Sequence, residues 1–269
     1  MVRRRLKLVL SYHGAAFHGW QRQAAGRPTV QAALEAALSR MTGERSTVVG
    51  AGRTDAGVHA AGQVAHFETR AAIPCDGFRE GLNSLLPASV AVLGVEEAAP
   101  DFHARYDAVA KTYSYRVLVA PSKAPLWEDR AWRLPSPLDI EAMRQAAAAL
   151  LGRHDFAAFQ ASGSSVKTTV RTLYRCRIEV LEPGALAVPA PGPIVHFSVA
   201  ADGFLRYMVR NMVGTLVEVG SGRRPPDDLQ RILSGGDRRL AGRTAPAEGL
   251  CLDRVHYHGP PPRHDTLED

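Results

Sequence analysis

Apolar residues fall on two different periods along this chain. Leu6-Lys7-Leu8-Val9-Leu10-Ser11-Tyr12 alternates as a strand does, and Gly14 opens a loop that carries Trp20-Gln21-Arg22-Gln23. Val30, Ala33, Leu34, Ala37, Leu38 and Met41 then recur at the spacing of one helical face, which predicts a helix with Thr29 as N-cap and Gly43 as its stop. Residues 47–49 and 63–69 read as strands on either side of a glycine-rich stretch. Asp76 is expected to cap a helix presenting Phe78, Leu82 and Leu85 and ended by Pro87, and residues 90–95 read as another strand.

The second half repeats the alternation. Lys111, Tyr113, Tyr115, Val117 and Val119 share one face of a strictly alternating strand. Residues 120–138 carry four prolines and no helical period, which predicts a long connection. Residues 139–151 are helical by the period of Ile140, Met143, Ala147 and Leu150, with Gly152 behind them. Residues 171–181 and 194–200 read as strands around an exposed Pro/Gly-rich hairpin loop. Residues 204–219 read as a helix with Leu205, Met208, Met212 and Leu216 inward and Arg206 and Arg210 on another face. Pro225-Pro226 starts a shorter helix, 250–257 closes as a strand, and the residues from Gly259 onward read as a disordered tail. Strands mixed with helices in both halves suggest a duplicated α-β sandwich unit, with no sequence repeat to support it.

Composition adds bounds. With 269 residues, 45% hydrophobic and 22% charged, the chain has the make-up of a soluble globular protein of one large or two smaller domains. No apolar run reaches the roughly 20 residues of a membrane span, and Lys7 interrupts the short apolar stretch after Arg3-Arg4-Arg5, so neither a membrane anchor nor a signal peptide is expected and the cytoplasm is the expected location. Cys75, Cys176 and Cys251 are far apart with no Cys-x-x-Cys pair, which argues against a disulfide framework or a cysteine zinc site. The net charge of +6 favours a polyanionic partner without identifying one.

The chemistry concentrates in residues 50–67, where four glycines within thirteen positions embed Arg53 and Asp55. The spacing is not that of a dinucleotide-binding G-x-G-x-x-G turn. Gly52 and Gly57 match the glycines of a P-loop, but Val58-His59 stands where Lys and Ser/Thr would have to reach phosphate and Mg²⁺. His59 and His66 have no metal-ligand spacing and read as structural. One carboxylate remains. Arg53 or another cation can hold Asp55 ionised. From these residues alone, the ordinary reading of Asp55 is a turn carboxylate accepting backbone N–H bonds.

Gly50–Gln63, reading GAGRTDAGVHAAGQ, resembles the catalytic motif of the bacterial tRNA pseudouridine synthase A family. Supporting motifs, in the family's order, are Gly19-Trp20-Gln21-Arg22-Gln23, Asp101-Phe102-His103-Ala104-Arg105, Lys111-Thr112-Tyr113-Ser114-Tyr115, Met208-Val209-Arg210-Asn211-Met212-Val213-Gly214 and Ala247-Glu248-Gly249-Leu250. The resemblance reaches to about residue 258; Cys251 departs from it, standing where the family commonly has an aromatic residue. It implies an α+β fold of two α-β sandwich lobes with a mostly antiparallel sheet and a catalytic cleft between them: an N-terminal lobe over 1–105 carrying the aspartate loop and a C-terminal lobe over 106–258, followed by the tail 259–269. It also implies a homodimer that isomerises uridine to pseudouridine at positions 38, 39 and 40 of the tRNA anticodon stem-loop without cofactor or metal. Carried over by position, Asp55 is the essential aspartate, Tyr113 the tyrosine stacking near the target base, Arg53 an arginine holding the flipped nucleotide, and Arg210 the basic partner of the aspartate.

The residue types suit that chemistry. An ionised carboxylate can attack C1′ of the ribose, attack the uracil ring or remove a ribose proton, and the sequence leaves these three open. A base stacked in RNA must be turned outward, onto an aromatic platform beside cations that hold phosphate. Without the resemblance, Tyr113 reads as a core tyrosine and Arg206 and Arg210 as a solvated helix face; the apolar surroundings of Arg210 demand an anionic partner more strongly. The alternatives are a non-catalytic tRNA-binding protein, and a glycosidase for which no second carboxylate stands near Asp55 in sequence.

Overall fold

Strand β1 (Arg4–Tyr12) turns Leu6, Leu8, Leu10 and Tyr12 inward, because alternate side chains of a strand face one side of its sheet. In the computed structural model, which describes residues 3–161, 166–183 and 188–259, the chain forms two compact units. The first comprises the residues up to Val109 together with Cys251–Tyr257, and the second comprises Ala110–Leu250.

In the first unit β1 lies between β3 (His59–Thr69) and β4 (Val90–Ala98), antiparallel to both. The other edge of β3 pairs in parallel with β10 (Leu250–His256) at His59 and Ala60, and antiparallel with the short β2 (Val49–Gly50) at His66 and Ala65. Helices α1 (Val30–Thr42) and α2 (Cys75–Leu85) pack on each other, and α2 packs on β4. Val30, Leu34, Leu38, Phe78 and Leu82 join the inward leucines of β1 in the core. Each such side chain contributes about 1.5–3 kcal/mol by leaving water, so burial outweighs the ~1 kcal/mol of an N-cap in fixing where α1 lies. The cap still sets its start: Thr29 accepts the Ala32 N–H, as the sequence predicts, and Gly43 ends the helix in a left-handed conformation.

In the second unit β5 (Ala110–Val119), β9 (Ile194–Ala201), β8 (Val170–Leu181) and β7 (Gly152–Asp155) form an antiparallel sheet in that order. The short β6 (Trp132–Leu134) pairs in parallel with β5. Helix α3 (Ile140–Ala148), capped by Asp139, packs against β8 and against α4 (Met208–Gly220); α5 (Asp228–Gly235) follows. The mixed α+β class and mostly antiparallel pairing match the expectation.

Several boundaries differ from the sequence reading. The strand expected at 47–49 is reduced to β2, because the N–H and carbonyl of Val48 are taken by Glu35 Oε1 (3.1 Å) and Gln31 Nε2 (2.9 Å) of α1. β3 starts at His59, so the irregular part of the glycine stretch is only 51–58. Pro74, and not Asp76, is the N-cap of α2; Asp76 lies in the first turn, where its charge suits the helix dipole. The long connection 120–138 contains β6, and β7 follows α3 where the sequence pattern predicts no strand. α4 begins at Met208 because Tyr207 before it is left-handed. Residues 184–187 of the expected hairpin loop, and the expected tail apart from Gly259, lie outside the described residues.

Candidate active site

Asp55 opens a tight turn between β2 and β3. The Val58 N–H donates to the Asp55 carbonyl (3.1 Å), and Gly57 takes a positive φ of 81° at the third position, which a type II turn requires and a side chain would oppose. Inward and outward positions alternate before the turn: Arg53 is exposed, Thr54 buried and Asp55 half-buried. Asp55 is thereby offered to solvent on a segment whose preceding residue is part of the core.

The main chain of the segment is tied down at several points. Ala51 N–H donates to Val64 O (2.7 Å), Trp20 N–H to Thr54 O (3.0 Å) and Gly57 N–H to Phe17 O (3.3 Å). The Trp20 indole lies flat in the space a side chain at residue 50 would need, where a Cβ on Gly50 would come 2.6 Å from the ring. Trp20 is held there because Gln31 and Glu35 of α1 secure its loop: Gln31 Oε1 accepts from the Arg22 N–H (2.8 Å) and Gln21 Nε2 (2.7 Å), and Arg22 Nη1 lies 3.0 Å from Glu35 Oε2. The motif Trp20-Gln21-Arg22 thus supports the aspartate turn.

Both histidines of the stretch bond to main chain. His59 Nδ1 accepts the Gly14 N–H (3.0 Å), and His66 Nδ1 accepts the Ala104 N–H (3.1 Å). Burial, with His103 and Arg5 nearby, lowers the His66 pKa to about 4, against the opposing pull of Glu68 and Asp107. Among the described residues no group of His, Cys, Asp and Glu is arranged to hold a metal ion. Arg53 forms no ion pair with Asp55: its guanidinium is exposed and makes no hydrogen bond among the described residues. An exposed pair of that kind would gain little in water.

In the second unit, Tyr113 is 7% exposed on β5, its ring edge-on to Phe204 at 5.0 Å. Arg210, on the first turn of α4, is clasped through its own side chain: Nε donates to Ala245 O (2.7 Å), and Ala245 N–H returns a bond to Arg210 O (3.0 Å). The rest of the motif explains how Ala245 gets there. Asn211, fully buried, accepts from Arg238 Nη2 (3.0 Å) and Thr244 Oγ1 (2.6 Å), and Thr215 Oγ1 accepts the Gly242 N–H (2.9 Å). Gly214 lets this segment cross the helix, since a Cβ there would overlap the Arg243 carbonyl. Further along, Tyr115 Oη donates to Pro246 O (2.8 Å), and burial together with Glu248 pushes its pKa far up.

Two features escaped the sequence reading. Tyr207 is the only non-glycine residue with positive φ among those described (63°), and the guanidinium carbons of Arg206 and Arg210 lie 4.9 and 4.7 Å from its ring centre. Tyr12, Thr54 and Gln63 meet in the core beneath the aspartate turn. The signal for the second was the threonine between Arg53 and Asp55, a hydroxyl with no place in the proposed chemistry.

Comparison with known proteins identifies the family. A family profile described as tRNA pseudouridine synthase matches residues 8–107 and 146–258, leaving out the stretch that holds Tyr113. Proteins named tRNA pseudouridine synthase A from Geobacter sp. (strain M21) and Moorella thermoacetica are 48% and 49% identical over 255 and 253 residues, covering 94% of this chain and 99% of each relative. One of the same name from Myxococcus xanthus is 46% identical over 260 residues, 96% of this chain and 94% of the relative. Similarity of this degree over nearly the whole length means that this chain belongs to the tRNA pseudouridine synthase family.

Proposed function

We propose that this protein isomerises uridine to pseudouridine in tRNA, at positions 38, 39 and 40 of the anticodon stem-loop, with Asp55 as its reacting carboxylate. The observation that carries the reading is the mounting of Asp55, a half-buried carboxylate on a turn whose flanks are fixed by main-chain bonds at Ala51, Thr54 and Gly57. A catalytic group is useful in proportion to how well its geometry is held. Membership of the family supplies the substrate class.

The reaction breaks the C1′–N1 glycosidic bond, turns the uracil while it is retained, and joins C5 to C1′, with the C5 proton leaving and N1 taking one up. Asp55 acts in one of the three ways open to a carboxylate: on C1′, on the ring, or on a ribose proton. Tyr113 supplies the platform for the flipped base, its ring steadied by Phe204. The exposed guanidinium of Arg53 holds phosphate of the flipped nucleotide, and Arg210 is the basic partner of Asp55. The N-terminal lobe, residues 1–105, carries the aspartate, and the C-terminal lobe, 106–258, carries the platform. The protein works as a homodimer in the cytoplasm and uses neither cofactor nor metal.

The test is to incubate the purified protein with unmodified tRNA transcripts and map pseudouridine chemically. Product at 38, 39 or 40 supports the reading. Binding without product would make this a tRNA-binding protein, and free uracil in solution would make it a glycosidase.

A further inference from the structure

Thr54, the residue before Asp55, points its hydroxyl into the core. Its Oγ1 lies 2.8 Å from Tyr12 Oη, and Gln63 Nε2 lies 3.3 Å from the same phenol oxygen and 2.9 Å from Gly52 O. The three side chains are 6%, 4% and 0% exposed. They come from three different places in the chain: the last residue of β1, the aspartate segment and the fifth residue of β3.

The direction of the bonds follows from the donor inventory. Gly52 O can only accept, so Gln63 presents its amide nitrogen on that side, and the same nitrogen donates to Tyr12 Oη. A further hydrogen bond joins Tyr12 Oη to Thr54 Oγ1, which either hydroxyl can donate. From this geometry we infer that Gln63, Tyr12 and Thr54 are positioning residues, a buried hydrogen-bonded brace that fixes the residue-54 side chain and with it the aim of the Asp55 carboxylate.

The inference rests on the reading of Asp55 as the reacting group. What separates it from an ordinary core network is how the segment is otherwise held. Main-chain bonds at Ala51, Thr54 and Gly57 do not involve the brace, so the segment stays docked when the Thr54 hydroxyl is removed. What changes is the rotational freedom of residue 54 and the placement of its neighbour. Misplacing a catalytic group by about 1 Å can cost on the order of 100-fold in rate.

The experiment compares Thr54→Val, Thr54→Ser, Tyr12→Phe and the Thr54→Val/Tyr12→Phe double variant with Asp55→Asn, measuring kcat and KM on tRNA and the melting temperature of each. The brace predicts that Thr54→Val and Tyr12→Phe each lower kcat by at least ~10-fold while KM stays within about 2-fold. The double variant should be no slower than the slower single, because the bond that Thr54→Val removes is one that Tyr12→Phe also removes. Thr54→Ser should restore turnover. If Thr54→Val does not fold, Tyr12→Phe carries the test from the other end of the bond. Unchanged kcat in the single variants with an inactive Asp55→Asn would overturn the brace and leave the reading of Asp55 standing. An active Asp55→Asn would instead remove that reading. A rise in KM alone, or losses that multiply in the double variant, would also overturn the brace.

Discussion

The guanidinium of Arg210 stacks over the ring of Tyr207, 4.7 Å from its centre, while Tyr207 holds a left-handed backbone with φ of 63°. For a non-glycine residue that conformation costs roughly 1–3 kcal/mol, and a cation–π contact of this kind returns about 0.5–1 kcal/mol when exposed. The contact does not by itself compensate the strain, so the strain serves placement of Arg210 more than stability.

Tyr207→Gly separates the two. Glycine adopts positive φ without cost, so a thermal melt should show a melting temperature at or above that of the unsubstituted protein. Turnover should fall several-fold as Arg210 loses the ring it stacks on, while its Nε keeps the Ala245 carbonyl. A variant both less stable and fully active would contradict this account of Tyr207.

Gly214→Ala should destabilise the protein although it replaces glycine inside a helix. Helix propensity favours alanine by about 1 kcal/mol, but the new methyl would overlap the Arg243 carbonyl, and overpacking costs typically ~1–3 kcal/mol. The backbone oxygen cannot move aside as a flexible side chain does, so the steric term wins. Urea denaturation should show a lower midpoint, accompanied by lower activity because the displaced segment carries the Ala245 carbonyl that holds Arg210.

His66 makes stability depend on acid. Its folded pKa of about 4 lies below the ordinary value of 6.5, because burial, His103 and Arg5 disfavour the cation. The unfolded chain therefore takes up a proton first. The contribution is fully present above pH 6.5 and is lost as pH falls from there towards 4. His66→Asn keeps an acceptor near the Ala104 N–H and cannot titrate. Melting temperatures across that window should fall less for the variant than for the unsubstituted protein.

Arg53 is exposed and makes no hydrogen bond among the described residues, so Arg53→Ala should leave the melting temperature unchanged. If it holds substrate phosphate, the same substitution raises KM for tRNA about 10-fold, and Arg53→Lys recovers part of the loss. Steady-state kinetics at fixed salt would show this. An unaltered KM would remove Arg53 from the binding surface.

How much of this was legible in the sequence depended on whether local and tertiary demands agreed. Helix α1 was readable because its apolar period, Thr29 cap and Gly43 stop all point the same way. The start of β3 was not, since His59-Ala60-Ala61-Gly62 has little strand propensity, and its pairing comes from β1 and β10. Val48 departs from the expected strand because its backbone groups are satisfied by side chains of α1, a contact with no local signature. Tyr207 was hidden for a similar reason: its apolar neighbours continue the helical period, while the backbone breaks it. Among the candidate residues, Asp55 in the first unit and Arg210 in the second stand out through their motifs. Thr54, Tyr12 and Gln63 do not, because a hydrogen-bonded meeting of three distant residues exists only in the folded unit.

Asp55 is tested most directly by one measurement: pseudouridine formed on unmodified tRNA by Asp55→Asn compared with the unsubstituted protein. The substitution keeps size and removes the charge, and the turn is held by main-chain bonds that it does not touch. The prediction is loss of product by at least ~10³-fold, with tRNA still bound and the melting temperature nearly unchanged. Pseudouridine appearing at an undiminished rate would contradict the claim that Asp55 is the reacting group.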